Sequence, residues 1–146
     1  MSNLRVRDLM TAEIIAVSPG APISALQDLM DERRIRHVPI VDAEGTLVGI
    51  VSQRDVLRYV SASEAEDDLP LSMRVDVLNA ARAADIMTQQ VETVEADDDL
   101  AVAARIMLDN KYGCLPVFEE GVLAGIITEA DFVRLMAAVG TPDDES

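Results

Sequence analysis

The chain has no tryptophan, one cysteine, one histidine and only 3% aromatic residues. A single thiol cannot form an internal disulfide, which agrees with a reducing compartment. One histidine and one cysteine do not make a zinc set, so no metal is expected. Basic residues are scarce: 12 Lys and Arg stand against 27 Asp and Glu, for a formal net charge of −15. A general nucleic-acid-binding role, or attachment to an anionic membrane, would work against long-range repulsion. No apolar stretch approaches the roughly 20 residues needed to span a bilayer, and Met1 to Arg7 lacks the apolar run of a signal peptide. The expected setting is the cytoplasm, with neither membrane nor nucleic acid as a partner.

Aliphatic residues fill the gap left by aromatics, bringing the hydrophobic fraction to 49%, so the core must be aliphatic. A length of 146 residues suits one compact domain better than two very small ones, because small domains bury too little apolar surface. Internal repeats should therefore share a core. Such repeats are present: Asp8-Leu9-Met10-Thr11 recurs as Asp85-Ile86-Met87-Thr88, an offset of 77. The same offset carries Val17 onto Val94, Met30 onto Met107 and Pro39 onto Pro116. After a one-residue deletion near Glu44 the offset becomes 76, carrying Gly45 onto Gly121, Gly49 onto Gly125, Asp55 onto Asp131 and Arg58 onto Arg134.

Each copy predicts the same order of elements, β-α-β-β-α. Glu13 to Val17 and Val91 to Val94 are short β-prone segments. Ile23, Leu26, Leu29 and Met30, and in the second copy Leu100, Ala103, Ala104, Ile106 and Met107, recur at helical spacing. His37 to Val41 and Cys114 to Phe118 read as strands, each followed by a Gly-containing turn and a second strand, Leu47 to Val51 or Leu123 to Ile127. Closing helices are expected over Arg54 to Val60 and Ala130 to Met136. The organisation is then a first repeat over 6–60, an acidic linker over 61–83 with a helical turn nearer Leu78, a second repeat over 84–136 and a frayed tail over 137–146.

Gly49-Ile-Val-Ser52-Gln-Arg-Asp55 and Gly125-Ile-Ile-Thr128-Glu-Ala-Asp131 lie where a strand runs into a helix. Unpaired N–H groups and the helix dipole favour an anion there, a hydroxyl can donate to a phosphate oxygen, and a carboxylate can accept from a ribose diol. The structural alternative is an N-cap with a first-turn acid that only stabilises the helix. Duplication of the pattern favours a site without removing the repeated cap.

These residues resemble a pair of CBS domains, the repeat named after cystathionine β-synthase. The resemblance rests on the Asp-hydrophobic-Met-Thr opening, the hydrophobic-Pro-hydrophobic strand and the Gly-h-h-[Ser/Thr]-x-x-Asp signature, and covers Val6 to Val60 and Ala84 to Met136. It implies a mixed α/β fold of α+β kind, in which two pseudo-twofold-related βαββα repeats pack through their sheets as one Bateman module and leave two clefts for adenosyl ligands: AMP, ADP, ATP or S-adenosylmethionine. On the matching positions, Asp55 and Asp131 would bind ribose hydroxyls and Ser52 and Thr128 would approach phosphate. Val38 and Leu115 would line the base or sugar pocket, with Ile15 and Glu92, on the first strands, near the base. The family also implies a homodimer and an effector protein, with no obligatory cofactor.

The two repeats differ in charge. Residues 6–60 hold six Arg against eight acids, while 84–136 hold three Lys or Arg against eleven acids, so phosphate belongs nearer the first. Arg36 and His37 precede the Val-Pro strand and Arg54 lies inside the signature, where the second repeat has Gly113, Cys114 and Ala130. Surface charge is the alternative for Arg36 and Arg54, and a structural role for His37. The Asp97-Asp98-Asp99 run reads as first-turn acids complementing a helix dipole, not a calcium loop. Met10, Met30, Met87 and Met107 read as core. No nucleophile, base and stabilising group converge, so the chain is expected to sense a ligand and not to be an enzyme. The competing expectation is a dimerising scaffold with empty or vestigial clefts.

Overall fold

A computed structural model describes residues 4–66 and 80–139. The elements are α1 (Val6–Leu9), α2 (Ile23–Arg33), β1 (His37–Val41), β2 (Leu47–Ser52), α3 (Gln53–Glu66), α4 (Ala83–Ile86), β3 (Val94–Glu95), α5 (Leu100–Asn110), β4 (Cys114–Glu119), β5 (Val122–Thr128) and α6 (Glu129–Val139). The mixed α/β order follows the repeat, but each copy opens with a short helix, α1 or α4, that the β-α-β-β-α reading did not include, and there are three further differences. The first strand of each copy is shorter than expected: the first copy contributes one bridge, Val17 to Ile40, and the second only Val94 and Glu95, parallel to β4. Ile15 and Glu92 therefore stand ahead of the paired residues and not on strands, since each first segment meets its neighbour strand only from Val17 or Val94 onward. Second, α3 runs past the expected Val60 to Glu66, because Ala62, Glu64, Ala65 and Glu66 are strong helix formers. Third, α6 continues through Ala137 to Val139, which were expected in the tail. The helical turn near Leu78, the acidic residues 67 and 68 of the linker and the tail from 140 onward lie outside the described residues.

The chain forms two compact units that do not follow the repeat boundaries. Ile15–Val91 makes a continuous unit, and Met1–Ile14 with Glu92–Ser146 makes a split one. In the continuous unit, β1 and β2 pair antiparallel, Val38 opposite Val51 and His37 opposite Ser52. Its core gathers Ile23, Leu26 and Met30 of α2, Val38 and Ile40 of β1, Val51, Val56, Ala81 and Ala83. The split unit has a three-stranded sheet in the order β3-β4-β5, and its core gathers Val6, Val94, Leu100, Ala103, Met107, Leu115, Val117 and Ile127. Helical spacing on α2 and α5 and alternation on the strands deliver these residues to one side.

The opening motif of each sequence repeat is an architectural strap for the strands of the other repeat. Asp8 Oδ2 accepts the Arg5 N–H at 2.8 Å and Asp85 Oδ2 accepts the Arg82 N–H at 2.8 Å, so each acid caps its short helix. Val6 and Ala83 are fully buried. Thr11 exchanges two backbone hydrogen bonds with Ile126, at 2.9 and 3.0 Å, and Thr88 exchanges two with Ile50, at 2.8 and 3.0 Å. Beneath each strap lies a glycine: a Cβ on Gly125 would stand 2.7 Å from the Thr11 carbonyl oxygen, and one on Gly49 would stand 2.6 Å from Met87 Sδ. Met30 and Met107 are core residues as expected; Met10 and Met87 are half-buried because they lie across these glycines.

Ion pairs fasten the strap of the split unit. Arg5 pairs with Asp99 at 2.9 Å, and Arg7 pairs with Asp97 at 2.6 Å and Glu119 at 2.5 Å. Asp98 Oδ2 accepts the Glu95 N–H at 2.9 Å. The acidic run thus precedes α5, which has no first-turn acid; it anchors the strap and caps a turn instead of complementing the dipole as expected.

Candidate functional site

At both strand-to-helix junctions the Asp in the first turn accepts the backbone N–H of the Ser or Thr three residues before it, and at the first junction alone that bond is returned, as in a capping box. At the first, Asp55 Oδ2 accepts the Ser52 N–H at 2.9 Å, and Ser52 Oγ accepts the Asp55 N–H at 3.1 Å. At the second, Asp131 Oδ2 accepts the Thr128 N–H at 2.8 Å and the Thr128 hydroxyl at 3.2 Å. The carboxylates do not stand in bulk water: the side chains of Asp55 and Asp131 are 11% and 4% exposed. An arginine one turn on reaches each of them, Arg58 to Asp55 Oδ1 at 3.3 Å and Arg134 to Asp131 Oδ1 at 2.5 Å. These two arginines are part of each junction and were not among the expected site residues, although their duplication is visible in the sequence.

A carboxylate offers about four lone-pair positions. Asp55 uses two of them and Asp131 three, so Asp55 has the larger remaining capacity for a diol. The hydroxyls also differ. Ser52 Oγ acts as an acceptor in its bond to Asp55, which leaves its proton for another group, whereas Thr128 Oγ1 donates its proton to Asp131.

The other expected residues divide by unit. Ile15, Arg36, His37, Val38, Ser52, Arg54 and Asp55 all belong to the continuous unit, and Glu92, Leu115, Thr128 and Asp131 to the split one. His37 is half-buried opposite Ser52, and the Arg36 carbonyl accepts the Gln53 N–H at 2.7 Å, which sets Arg36 beside the junction. Arg36 and Arg54 are exposed, Ile15 is half-buried and Glu92 is exposed. The side chains of Val38 and Leu115 are fully enclosed in their cores, so as they stand they support the strands and present no surface. Cys114, opposite Thr128, is buried, and burial pushes its thiol up to about 12. It remains protonated and is no nucleophile at neutral pH.

The CBS domain family model matches residues 6–62 and 83–138. Among relatives, a 33.4 kDa uncharacterized protein of Thermofilum pendens is 33% identical over 138 residues, 94% of this chain and 45% of that protein. The next two relatives are spanned over 25% and 44% of their lengths, so the chain spans less than half of each of these three. Among solved structures, a protein of Vibrio cholerae assigned provisionally to acetoin utilization is 34% identical, with a TM-score of 0.77 over 98% of this chain and 97% of that one. CBSX2 of Arabidopsis thaliana, crystallised in complex with AMP, is 28% identical, with a TM-score of 0.73 over 94% of this chain and 98% of that one.

Proposed function

Because the chain belongs to the CBS-domain family, we propose that it is a regulatory module that binds an adenosyl ligand, AMP, ADP, ATP or S-adenosylmethionine, and passes its occupancy to an effector protein. The observation that carries this is the doubled junction, where a hydroxyl and a largely enclosed carboxylate with spare acceptor positions meet one turn apart. The AMP held by the 28%-identical CBSX2 supports the ligand class.

In this reading Asp55 and Asp131 accept from the ribose diol, and Ser52 and Thr128 approach phosphate. Arg36, His37 and Arg54 add charge on the continuous unit. Ile15 and Glu92 flank the base, and Val38 and Leu115 contribute through their main chains. Among the described residues no group is placed to perform catalysis. The module works in the cytoplasm as a homodimer. Leu57 and its repeat equivalent Val133 are exposed and apolar, as is Met136 one turn beyond Val133, and these side chains suit an isologous contact between two copies.

One observation favours a second reading, a dimerising scaffold: at each Ser/Thr-x-x-Asp the carboxylate already accepts the backbone N–H at the start of its own helix, a bond that stabilises the helix with no ligand present. Thermal melting separates the two. A ligand at about 100 times its Kd stabilises by about 2.7 kcal/mol, a rise of roughly 5 to 10 °C for a chain of this size. Asp55→Asn, which keeps one capping oxygen, should reduce that rise. Melting unchanged by all four ligands, on protein stripped of co-purified nucleotide, favours the scaffold.

A further inference from the structure

We infer that the two junctions are sorted by charge: the one in the continuous unit takes a nucleoside polyphosphate, and the one in the split unit takes an adenosyl group that is neutral or cationic. The inference rests on the adenosyl reading and goes past it by giving each junction its own ligand class. The first support is the difference between the hydroxyls. Among the described residues the Ser52 proton has no side-chain partner and can be donated to a phosphate oxygen, whereas the Thr128 proton is engaged with Asp131 at 3.2 Å and must leave that bond to reach a phosphate.

The second support is the use made of the arginines. In the split unit, with five basic residues against fifteen acidic ones, Arg5, Arg7, Arg105 and Arg134 are all ion-paired. The continuous unit is also acidic, yet Arg33, Arg34, Arg36 and Arg54 make no ion pair or side-chain hydrogen bond among the described residues, and all four are exposed. Four cations left uncommitted on a chain of net charge −15 are available to an anion.

They also lie close together. The bond from the Gln53 N–H to the Arg36 carbonyl joins the Ser52 junction to the arginine run, and Arg34 is two residues from Arg36, a Cα separation of at most about 7 Å. Arginine is suited to phosphate because its fork makes two charge-assisted hydrogen bonds at once. The counterparts in the second repeat are Asn110, Lys111, Gly113 and Ala130, with Glu129 where the first has Gln53. That set offers one cation and adds an acid, which disfavours a phosphate chain and suits a neutral nucleoside or a sulfonium.

Arg34 supplies a variant that keeps the fold. It holds φ 57° at the end of α2, a conformation glycine adopts more readily, so Arg34→Gly removes the charge without straining the backbone. The test is calorimetric titration of the stripped full chain with ATP, AMP, adenosine and inorganic tripolyphosphate, all in EDTA. ATP should bind one site about tenfold or more tighter than AMP, and tripolyphosphate should compete for that site but not for adenosine. Arg34→Gly combined with Arg54→Ala should weaken ATP by about tenfold or more, as expected for lost charged hydrogen bonds, with adenosine changed by less than about twofold. Asp131→Asn should do the reverse. If AMP or adenosine binds but ATP is no tighter, or the arginine variants leave ATP unchanged, the sorting is wrong and the adenosyl reading stands. If no adenosyl ligand binds at all, both fall.

Discussion

Replacing either strap glycine with alanine should loosen a strap, and the two positions should differ for a reason the distances supply. At Gly125 the nearest obstacle to a new Cβ is the Thr11 carbonyl oxygen at 2.7 Å, with Met10 Sδ at 2.8 Å. At Gly49 the nearest obstacle is the Met87 sulfur at 2.6 Å, with the Thr88 carbonyl oxygen at 2.9 Å. A methionine can swing aside. A carbonyl that accepts a strand N–H at 3.0 Å, as both of these do, cannot move without lengthening that bond and the return bond beside it. Two hydrogen bonds at about 1 kcal/mol each, with overpacking of about 1 to 3 kcal/mol, place Gly125→Ala at roughly 3 to 5 kcal/mol of destabilisation. Gly49→Ala should cost less, and adding Met87→Ala should recover part of it, whereas Met10→Ala should not rescue Gly125→Ala. Urea unfolding gives the free energies, and amide exchange over residues 6–11 and 83–88 shows which strap has opened. An alanine at Gly125 that leaves stability unchanged, or raises it as strand propensity alone would, refutes the strap argument.

Two further outcomes follow from titrating groups. The Arg7 guanidinium holds the Asp97 carboxyl below its ordinary range. That contribution is in place above the unfolded value and is lost as pH falls through the lowered folded one, so protection of the amides over residues 4–11, taken relative to the unfolded chain at the same pH, should fall in acid and in high salt, and Arg7→Ala should remove both effects. Burial raises the Cys114 thiol from its ordinary value near 9.0 to about 12. Its stabilisation is complete below the unfolded value and is lost as pH rises towards the folded one, roughly 1.4 kcal/mol by about pH 10. Cys114→Ala should flatten urea-unfolding free energies over that range, and native protein should resist alkylation at about pH 8, where even an ordinary thiol near 8.5 is partly ionised.

The repeat made most of the fold legible. Helical spacing at Ile23, Leu26 and Met30 and the doubled Val-Pro strands each appeared twice, and both copies fold as that pattern predicts. What the repeat could not show is which strap covers which glycine, because Asp8-Leu-Met-Thr and Asp85-Ile-Met-Thr are equivalent candidates for either one. The roles of Asp97 and Asp99 were hidden for a related reason: Arg7 and Arg5 lie some ninety residues away, so only local dipole chemistry was visible along the sequence. Glu13 to Val17 has strand composition, but pairing needs a neighbour, and only Val17 meets one. The candidate site was legible in its residue types at Ser52, Asp55, Thr128 and Asp131. It was not legible in the direction of the Ser52 and Thr128 hydroxyl bonds, which depends on ångström-scale geometry.

The duplication also acts as an internal control on what each position is for. Asp8 and Asp85, Met10 and Met87, Thr11 and Thr88, and Gly49 and Gly125 are identical in the two copies and perform the same structural task in both. Their recurrence is accounted for by architecture. Asp55 and Asp131 recur as well, and each caps its helix, so repetition alone cannot assign them to a ligand. Discrimination between ligands must come from positions where the copies differ while the backbone does not: Arg36 against Gly113, Gln53 against Glu129, and Arg54 against Ala130, each beside a junction held by the same backbone bond. A scaffold with vestigial sites would have no need of uncommitted arginines at only one of two equivalent junctions, on a chain rich enough in acids to pair them all. That asymmetry supports the proposal of an anionic ligand at the Ser52 junction in particular.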